Sequence, residues 1–362
     1  MNIIVALLLA LLSMASSDEG GPRPGDGQVP LEPRTAFDGP ALVFDFDSIL
    51  IGTAEYEEGP TGTTVFAFLK RATVAIDVRG GGPGTTGSDI LRLGYETPFV
   101  DAIVFAGGSA YGLEAADGVR AELLTTGKRG TGFDDVAIVP GAIVFDFLGR
   151  TNSVYPDKHL GRASLRAARP GRFFQGARGA GRHVSVGKYF GPMYRQPSGQ
   201  GGAFRQVGPS KVAVFVVVNS IGSIVDRQGR VVRGNRNPES GVRTPIGEDL
   251  KDGTGARKRD RDPDFPKERA RRPSGENTTL TLVVTNQKLD YWELQRLAIQ
   301  VHTSMARAIQ PFHTRYDGDV LFAATTAEVE GGGLDALDLS TIASELSWDA
   351  VLNSIPSHPT PR

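Results

Sequence analysis

From residue 41 onward, the chain is built from short apolar runs that alternate with glycine-rich turns. Runs of roughly four to eight apolar and β-branched residues between such turns are typical of strands. Several of the runs are apolar at every position, which indicates strands buried on both faces. The predicted strand segments are 41–46, 64–69, 72–78, 102–107, 136–147, 211–218, 223–232, 279–286 and 319–326.

Helical periodicity is confined to the early and late parts of the chain. The predicted helices cover residues 112–125, 159–168, 291–310 and 337–353. The third of them has Asp290 as a candidate N-cap and an apolar face that includes Leu294, Leu297 and Val301. Because strands outnumber helices and do not alternate with them, we predict an α+β fold, with stacked sheets covered by helices, rather than a doubly wound one.

Composition excludes several classes of function. The chain has 362 residues and a net charge of −1, so we expect neither a nucleic acid nor a membrane surface as its main partner. It has no cysteine, which excludes disulfides and thiolate chemistry. Its five histidines show no metal-ligand spacing, and we expect neither a metal nor a cofactor.

Residues 1–40 differ from the rest of the chain. An apolar stretch followed by small residues predicts a signal peptide over 1–17, and hence an exported protein, periplasmic or secreted. The stretch is not preceded by Lys or Arg, so a cytoplasmic location is the alternative. Residues 18–40 are rich in Gly, Pro and Asp and are predicted to form a flexible linker. No later stretch approaches the ~20 apolar residues that span a bilayer.

A second unusual segment lies late in the chain. Between 251 and 273, nine residues are Lys or Arg and five are Asp or Glu, so this stretch cannot bury enough apolar surface to fold. We predict a disordered charged loop over residues 250–276. Long loops of this kind within a domain are either tolerated surface insertions or functional segments.

The charged loop ends abruptly at Asn277-Thr278-Thr279, where a predicted strand begins. The triplet matches the acceptor for N-glycosylation. The chemical alternative is autoproteolysis, in which the Thr278 hydroxyl attacks the Asn277 carbonyl and the resulting ester is cleaved by water. The new chain then begins with Thr278. Its α-amine, with an ordinary pKa of about 7.7–8.0, can activate the hydroxyl beside it.

Other polar residues stand next to apolar segments. Asp317 and Asp319 lie close together before a strand, where such a pair binds a metal, orients an ammonium group or caps a turn. Asn219 follows the run 211–218, where it presents an oxyanion donor or forms an ordinary turn. Lys188 has the Ser-x-x-Lys spacing of penicillin-binding enzymes with Ser185, but their other motifs do not follow.

A glycine motif near residue 82 nominally matches the dinucleotide-binding fingerprint. Gly82, Gly84 and Gly87 follow a predicted strand with the required spacing. However, Pro83 lies inside the motif and the residues after it make a poor helix. We therefore do not predict a dinucleotide site.

The residues around the Asn-Thr junction, and many others along the chain, resemble a known family. From about residue 41 to 352 the chain is similar to nylon hydrolases, the 6-aminohexanoate-oligomer endohydrolases. These belong to the β-aminopeptidase and L-aminopeptidase/D-Ala-esterase family, peptidase family S58. The segments that carry the resemblance include EYEEGPTGTTV, VYPDKHLGRASL, IVDRQGRVVRGN, ENTTLTLVVTN, VHTSMARAIQPFHT and DGDVLFAATT.

The resemblance implies a four-layer αββα sandwich of the N-terminal-nucleophile-hydrolase type, made as a precursor that cuts itself. Residues 41–277 would then be the large chain of one catalytic domain, and residues 278–362 the small chain that stays bound to it. Family members assemble such pairs into tetramers. In this sequence the implied catalytic residues are Thr278, Lys188, Asn219, Asp317 and Asp319, with autocleavage between Asn277 and Thr278.

One position departs from the nylon-hydrolase pattern. Where those enzymes have a Tyr before Asp-Phe, this chain has Phe145, which we expect in the substrate pocket without the hydroxyl group. The implied activity is hydrolysis of amide bonds in 6-aminohexanoate oligomers, through an acyl-enzyme on Thr278. The alternatives are an aminopeptidase that acts on peptide N-termini, an acyl transferase, and a secreted binding protein with a glycan on Asn277.

Overall fold

The computed structural model describes residues 31–96, 98–127, 130, 132–251, 276–331 and 333–357. Its helices are α1 (Glu114–Thr126), α2 (Lys158–Arg166), α3 (Ile246–Lys251), α4 (Tyr291–Ser304) and α5 (Ala336–Asn353). Its strands are β1 (Ala41–Val43), β2 (Ile49–Tyr56), β3 (Thr61–Val78), β4 (Thr85–Thr86), β5 (Phe99–Ala106), β6 (Gly141–Ile143), β7 (Arg169–Pro170), β8 (Arg172–Phe174), β9 (Ser185–Val186), β10 (Gln196–Pro197), β11 (Gln200–Val207), β12 (Ser210–Asn219), β13 (Ser223–Val225), β14 (Val231–Arg233), β15 (Thr278–Gln287), β16 (Ile309–Gln310) and β17 (Val320–Val329).

Three apolar layers separate four layers of secondary structure. The central layer lies between two groups of strands and contains Phe66, Phe105 and Phe215, whose neighbouring rings pack with centroids 5.2 and 5.3 Å apart. A second layer lies between the strands β12, β15 and β17 and the helices α4 and α5. A third lies between β3 and β5 and the helices α1 and α2. The α+β prediction is confirmed, and the layers follow the order helix, strand, strand, helix.

Strand β3 belongs to both groups of strands, which explains why its apolar run is so long. Residues 63–67 pair with β5, and residues 73–78 pair with β17. The register of β3 against β5 shifts between Ala67 and Ala72. The sequence predicted two strands here, 64–69 and 72–78, where the structure has one strand that passes from one sheet layer to the other.

The predicted strand 136–147 is mostly loop, and only Gly141–Ile143 is extended. Asp146 explains where the strand pairing stops. Its buried carboxylate accepts hydrogen bonds from Thr61 Oγ1 at 2.5 Å, from Gly108 N at 2.9 Å and from Arg150 Nη1 at 2.9 Å. These contacts hold residues 144–147 in a tight loop, which a pattern of apolar residues does not reveal.

The helix predicted over 291–310 begins as expected but ends at Ser304. Asp290 and Glu293 form a capping box, in which each side chain accepts a hydrogen bond from the other residue's backbone N–H at 2.7 and 2.8 Å. Leu294, Leu297 and Val301 are buried against the sheet. The capping prediction for Asp290 is therefore confirmed.

Several predictions about the ends of the chain and the charged loop lie outside the described residues. These are the signal peptide (1–17), residues 18–30 of the linker and residues 252–275 of the charged loop. Residues 31–40 are packed rather than free, because Arg34 and Glu55 exchange two backbone hydrogen bonds of 2.9 Å and Phe37 is buried. Within the described ranges, no helix has the length and apolar character needed to cross a bilayer.

Candidate active site

The register of four neighbouring strands brings the predicted site residues to one edge of the sheet. Asn219, the last residue of β12, pairs with Thr278, the first residue of β15. Strand β15 runs parallel to β17, so β17 begins at the same edge, and Asn277 forms an isolated bridge with Asp317 just before it. The end of β3 completes the edge, because Val78 pairs with Val320.

The peptide bond between Asn277 and Thr278 is buried at this edge. Asn277 is 3% exposed and Thr278 is 2% exposed. The Thr278 hydroxyl donates a hydrogen bond of 2.6 Å to the Asn277 carbonyl oxygen, and Gly318 N–H donates one of 2.7 Å to the same oxygen. A backbone donor therefore lies where negative charge would develop if the hydroxyl attacked this carbonyl carbon.

Lys188 and Asn219 bind the residue before the junction. Lys188 Nζ donates to both the backbone and the side-chain oxygen of Asn219 at 2.9 Å, and to the Glu276 carbonyl oxygen at 3.4 Å. Asn219 Nδ2 donates to the Glu276 and Phe145 carbonyl oxygens, both at 2.9 Å. In this uncut chain the donor on the Asn277 carbonyl is thus Gly318 N–H, while the amide of Asn219 binds one residue upstream.

Burial lowers the pKa of Lys188 from 10.5 to about 7, although the nearby carboxylates of Asp317 and Glu276 raise it in part. A lysine with a pKa in this range exchanges a proton near neutral pH. The shift makes Lys188 suited to act as a general base or acid beside the junction.

The two aspartates hold backbone N–H groups around the junction. Asp317 accepts from the N–H groups of Ile221 and Thr314, both at 3.1 Å, and from the Thr314 hydroxyl. Asp319 accepts from Thr279 N at 2.7 Å. Among the described residues, no cluster of His, Cys, Asp and Glu is arranged to hold a metal ion. These contacts anchor the neighbouring backbone segments, and the role of the pair in orienting an ammonium group stays a prediction.

Burial, together with the neighbouring Asp319, raises the pKa of Asp317 to about 6. The carboxylate of Asp317 faces Lys188 across the site, and that lysine opposes the rise. Two groups of opposite sign, with pKa values near 6 and near 7, therefore lie close to the Asn277–Thr278 bond. This arrangement is typical of sites that move protons near neutral pH.

His313 is a site residue that the sequence reasoning missed. Its backbone N–H and its ring Nδ1 both contact Asp319 Oδ2, at 3.1 and 3.0 Å. A left-handed backbone, with φ of 56°, lets both groups reach one carboxylate. Behind it the His302 ring packs at 4.2 Å between centroids and contacts Asp77 at 2.8 Å. The available signal was the short spacing between His313 and the two aspartates.

The glycines of the nominal dinucleotide motif have a structural role beside the site. Gly82 N–H donates to the Asp317 carbonyl oxygen at 2.9 Å. Gly80 lies two residues before the motif, and a Cβ on it would lie 2.2 Å from Asp319 N, so only glycine permits this close approach of two backbones. Gly80 and Gly82 therefore shape the segment that presents Gly318, which gives this part of the glycine run a structural role.

Phe145 lies partly buried at the edge of the site, in contact with Phe147 at 5.6 Å between ring centroids. Its link to the centre is its carbonyl oxygen, which Asn219 binds. The structure thus brings together all the predicted site residues, while their catalytic roles remain predictions. They are Asn277, Thr278, Lys188, Asn219, Asp317, Asp319 and Phe145.

Replacing Gly318 with Ala is expected to slow chain scission at least about 100-fold, the loss typical of a disturbed oxyanion donor. The added Cβ would lie 2.5 Å from Gly82 O and 2.7 Å from Thr278 Oγ1, so the N–H must move away from the Asn277 carbonyl. The measurement is a time course of scission on denaturing gels. Gly331→Ala, which meets nothing within 4 Å, is the matched control, and equal half-times for the two variants would contradict the assignment of this donor.

Comparison with known proteins gives the family. The model of peptidase family S58 matches residues 42–356. The chain is 42% identical over 341 residues to a 6-aminohexanoate-oligomer endohydrolase of Paenarthrobacter ureafaciens, covering 91% of this chain and 90% of that one. It is 34% identical over 280 residues to an uncharacterized aminopeptidase of Mycobacterium leprae, covering 74% and 72%.

Solved structures with the same fold include two aminopeptidases. A Burkholderia β-aminopeptidase matches with a TM-score of 0.58 at 18% identity, over 87% of this chain and 88% of that one. The L-aminopeptidase D-Ala-esterase/amidase of Ochrobactrum anthropi, described as a variant of the Ntn hydrolase fold, matches with a TM-score of 0.57 at 16% identity, over 90% and 91%. These matches confirm the expected fold type. By sequence, and in agreement with its fold, the chain belongs to peptidase family S58.

Proposed function

We propose that this chain is a precursor that cuts itself between Asn277 and Thr278 and then hydrolyses amide bonds with Thr278 as the nucleophile. The observation that supports this most directly is the contact between the Thr278 hydroxyl and the carbonyl of its own peptide bond, with the N–H of Gly318 on the same oxygen. The first residue of an ordinary strand does not require either hydrogen bond. The glycosylation alternative is disfavoured, because Asn277 is buried.

In the proposed scission, Thr278 Oγ attacks the Asn277 carbonyl carbon and its proton passes to Lys188. The charge on the carbonyl oxygen is stabilised by Gly318 N–H. The C–N bond then breaks, the Thr278 nitrogen takes a proton, and an ester remains between Asn277 and the Thr278 hydroxyl. Water hydrolyses that ester, which leaves a carboxylate on Asn277 and a free α-amine on Thr278.

In the proposed catalytic cycle, the free hydroxyl of Thr278 attacks a substrate amide in the same way. The α-amine and Lys188 take the proton and return it to the leaving amine, which leaves an acyl ester on Thr278. Asn219 Nδ2 loses its Glu276 acceptor when the cut end departs, and we propose it as a second donor to the oxyanion. Water then hydrolyses the ester and frees Thr278.

Asp317 and Asp319 position this centre in the proposed mechanism. Gly318 lies between them, and each carboxylate accepts hydrogen bonds from two backbone N–H groups: Ile221 and Thr314 donate to Asp317, and Thr279 and His313 donate to Asp319. The oxyanion donor is therefore fixed before the reaction begins, which is the condition for electrostatic preorganisation.

We propose 6-aminohexanoate oligomers as substrates, because the relative at 42% identity is a 6-aminohexanoate-oligomer endohydrolase. An aminopeptidase activity is the second candidate, supported by the relative at 34% identity, an uncharacterized aminopeptidase. The two candidate activities use the same chemistry and differ in the group that occupies the acyl side of the site.

The test combines scission with two substrates. The purified chain is expected to give two bands on a denaturing gel, with the small chain beginning at Thr278 by N-terminal sequencing. It is then assayed on a linear 6-aminohexanoate oligomer and on alanyl p-nitroanilide. Activity from a chain that stays at full length contradicts the mechanism, and a clear preference for the anilide favours the aminopeptidase.

The two chains are expected to stay together after the cut. Strands β15 and β17 of the small chain pair with each other, while β12 and β3 of the large chain pair with their outer edges. Separation would break two ladders of hydrogen bonds in the middle of a sheet.

We further propose that such pairs form a homotetramer and that the protein is exported. Analytical ultracentrifugation can check the homotetramer, and N-terminal sequencing of the large chain can check removal of the signal peptide.

A further inference from the structure

A cavity of about 710 Å³ lies beside the candidate active site. Residues from β13, β14, α3 and the turn after β16 line it, and its walls include the apolar side chains of Ile221, Val225, Val231 and Ile246. Its volume falls within the roughly 300–1,000 Å³ range of small-molecule sites, whose walls are mostly apolar with a few polar groups. Here the charged lining residues are Glu248, Lys251 and Arg315.

The residues that line the cavity also bind the catalytic centre. Ile221 and Thr314 are lining residues, and both donate backbone hydrogen bonds of 3.1 Å to Asp317. Tyr316 is another, and its carbonyl oxygen accepts a 3.2 Å hydrogen bond from Asn277 Nδ2. The side chain of Asn277 is therefore hydrogen-bonded to a residue that lines the cavity.

The uncut chain also indicates where the acyl group of a substrate must lie. Asn277 is on the acyl side of the bond that Thr278 attacks in the proposed scission, with its carbonyl oxygen on Gly318 N–H. A substrate that reacts at the same hydroxyl must place its acyl group where Asn277 lies. Because Asn277 is 3% exposed, its departure frees buried space next to Tyr316 and the cavity.

We propose that this cavity is the acyl-side subsite and that it takes the methylene chain of an aliphatic ω-aminoacyl group. This inference rests on the proposed function. It identifies the methylene chain as the part of the substrate that the enzyme selects. Methylenes have no polar atoms to satisfy, so apolar walls such as Val225 and Ile246 favour them over the short polar acyl groups of most peptides.

The test is a series of p-nitroanilides whose acyl groups lengthen from glycyl through 4-aminobutanoyl to 6-aminohexanoyl. For the wild type, kcat/KM is expected to rise by up to about fourfold per methylene, which corresponds to ~0.8 kcal/mol for each buried CH₂. Val231→Phe fills the cavity and is expected to lower kcat/KM at least tenfold for 6-aminohexanoyl, but less than twofold for glycyl. Val242→Phe is the matched control, because Val242 is 56% exposed and not among the lining residues.

Scission of each variant reports on whether its catalytic centre has formed. If Val231→Phe fails to fold, Val231→Ala enlarges the cavity instead and is expected to shift the preference toward 8-aminooctanoyl. A length profile identical to that of the wild type in the variant that cuts itself would overturn the subsite, and would leave the proposed function standing. A wild type that cleaves none of the anilides or 6-aminohexanoate oligomers would instead overturn the proposed function.

Discussion

Replacing Thr278 with Ala is expected to leave the chain at full length and to remove its amidase activity. The substitution deletes the hydroxyl that donates to the Asn277 carbonyl at 2.6 Å, so neither scission nor acyl-enzyme formation has a nucleophile. Loss of the nucleophile in such sites typically costs about 10⁴–10⁶-fold in rate. The measurements are a denaturing gel after prolonged incubation and a progress curve with a 6-aminohexanoate oligomer.

Two matched variants separate chemistry from folding. Thr278→Ser keeps a hydroxyl on the same backbone and is expected to cut itself and to retain activity. Thr281→Val removes a hydroxyl from the same strand, where Thr281 is buried and contacts Met305 on the helix side of the sheet, and is expected to cut itself normally. Normal scission in Thr278→Ala would mean that another residue starts the reaction, and the assignment of Thr278 would be wrong.

Much of the fold was predictable because its elements have strong local signals. The capping box at Asp290 and Glu293 follows directly from residue type and spacing, and the apolar runs give the central strands. The continuity of β3 was not predictable, because a strand that passes from one sheet to another has the same apolar pattern as two strands. The loop at Asp146 was also missed, since two of its three partners, Thr61 and Gly108, come from distant parts of the chain.

The side chains of the site could be predicted from the sequence, but the backbone hydrogen-bond donor could not. Thr278, Lys188 and the two aspartates are chemically distinctive and are matched by the family resemblance. The donor on the Asn277 carbonyl is a backbone N–H, which any residue has, and only the register of β15 against β17 assigns it to Gly318. The amide of Asn219 was expected on an oxyanion, but in the uncut chain it binds the Glu276 carbonyl.

Replacing Lys188 with Met is expected to slow both scission and substrate hydrolysis by about 10²–10⁴-fold, the usual contribution of a positioned acid–base group. Lys188 donates to Asn219 and to the Glu276 carbonyl beside the reacting bond, so we expect its removal to affect scission as well as substrate hydrolysis. Lys288→Met is the matched control. Lys288 follows β15 at the end away from the Asn277–Thr278 bond, is exposed and pairs with Glu330. A lysine needed only for folding would instead give insoluble protein or a lowered melting temperature with normal scission.

The pH dependence of scission tests the same lysine without interference from the α-amine, which does not exist until the bond is cut. Burial lowers the pKa of Lys188 to about 7, so the neutral form that accepts a proton is scarce below pH 7 and predominant above it. The scission rate is therefore expected to rise by about tenfold per pH unit below pH 6 and to level off above pH 8. Asp317, with a pKa of about 6, also titrates in this range and raises the pKa of Lys188, so Asp317→Asn removes one titration and is expected to move the rise in rate to lower pH. A rate that falls as pH rises through 7 would show that Lys188 acts as a cation on the oxyanion rather than as a base.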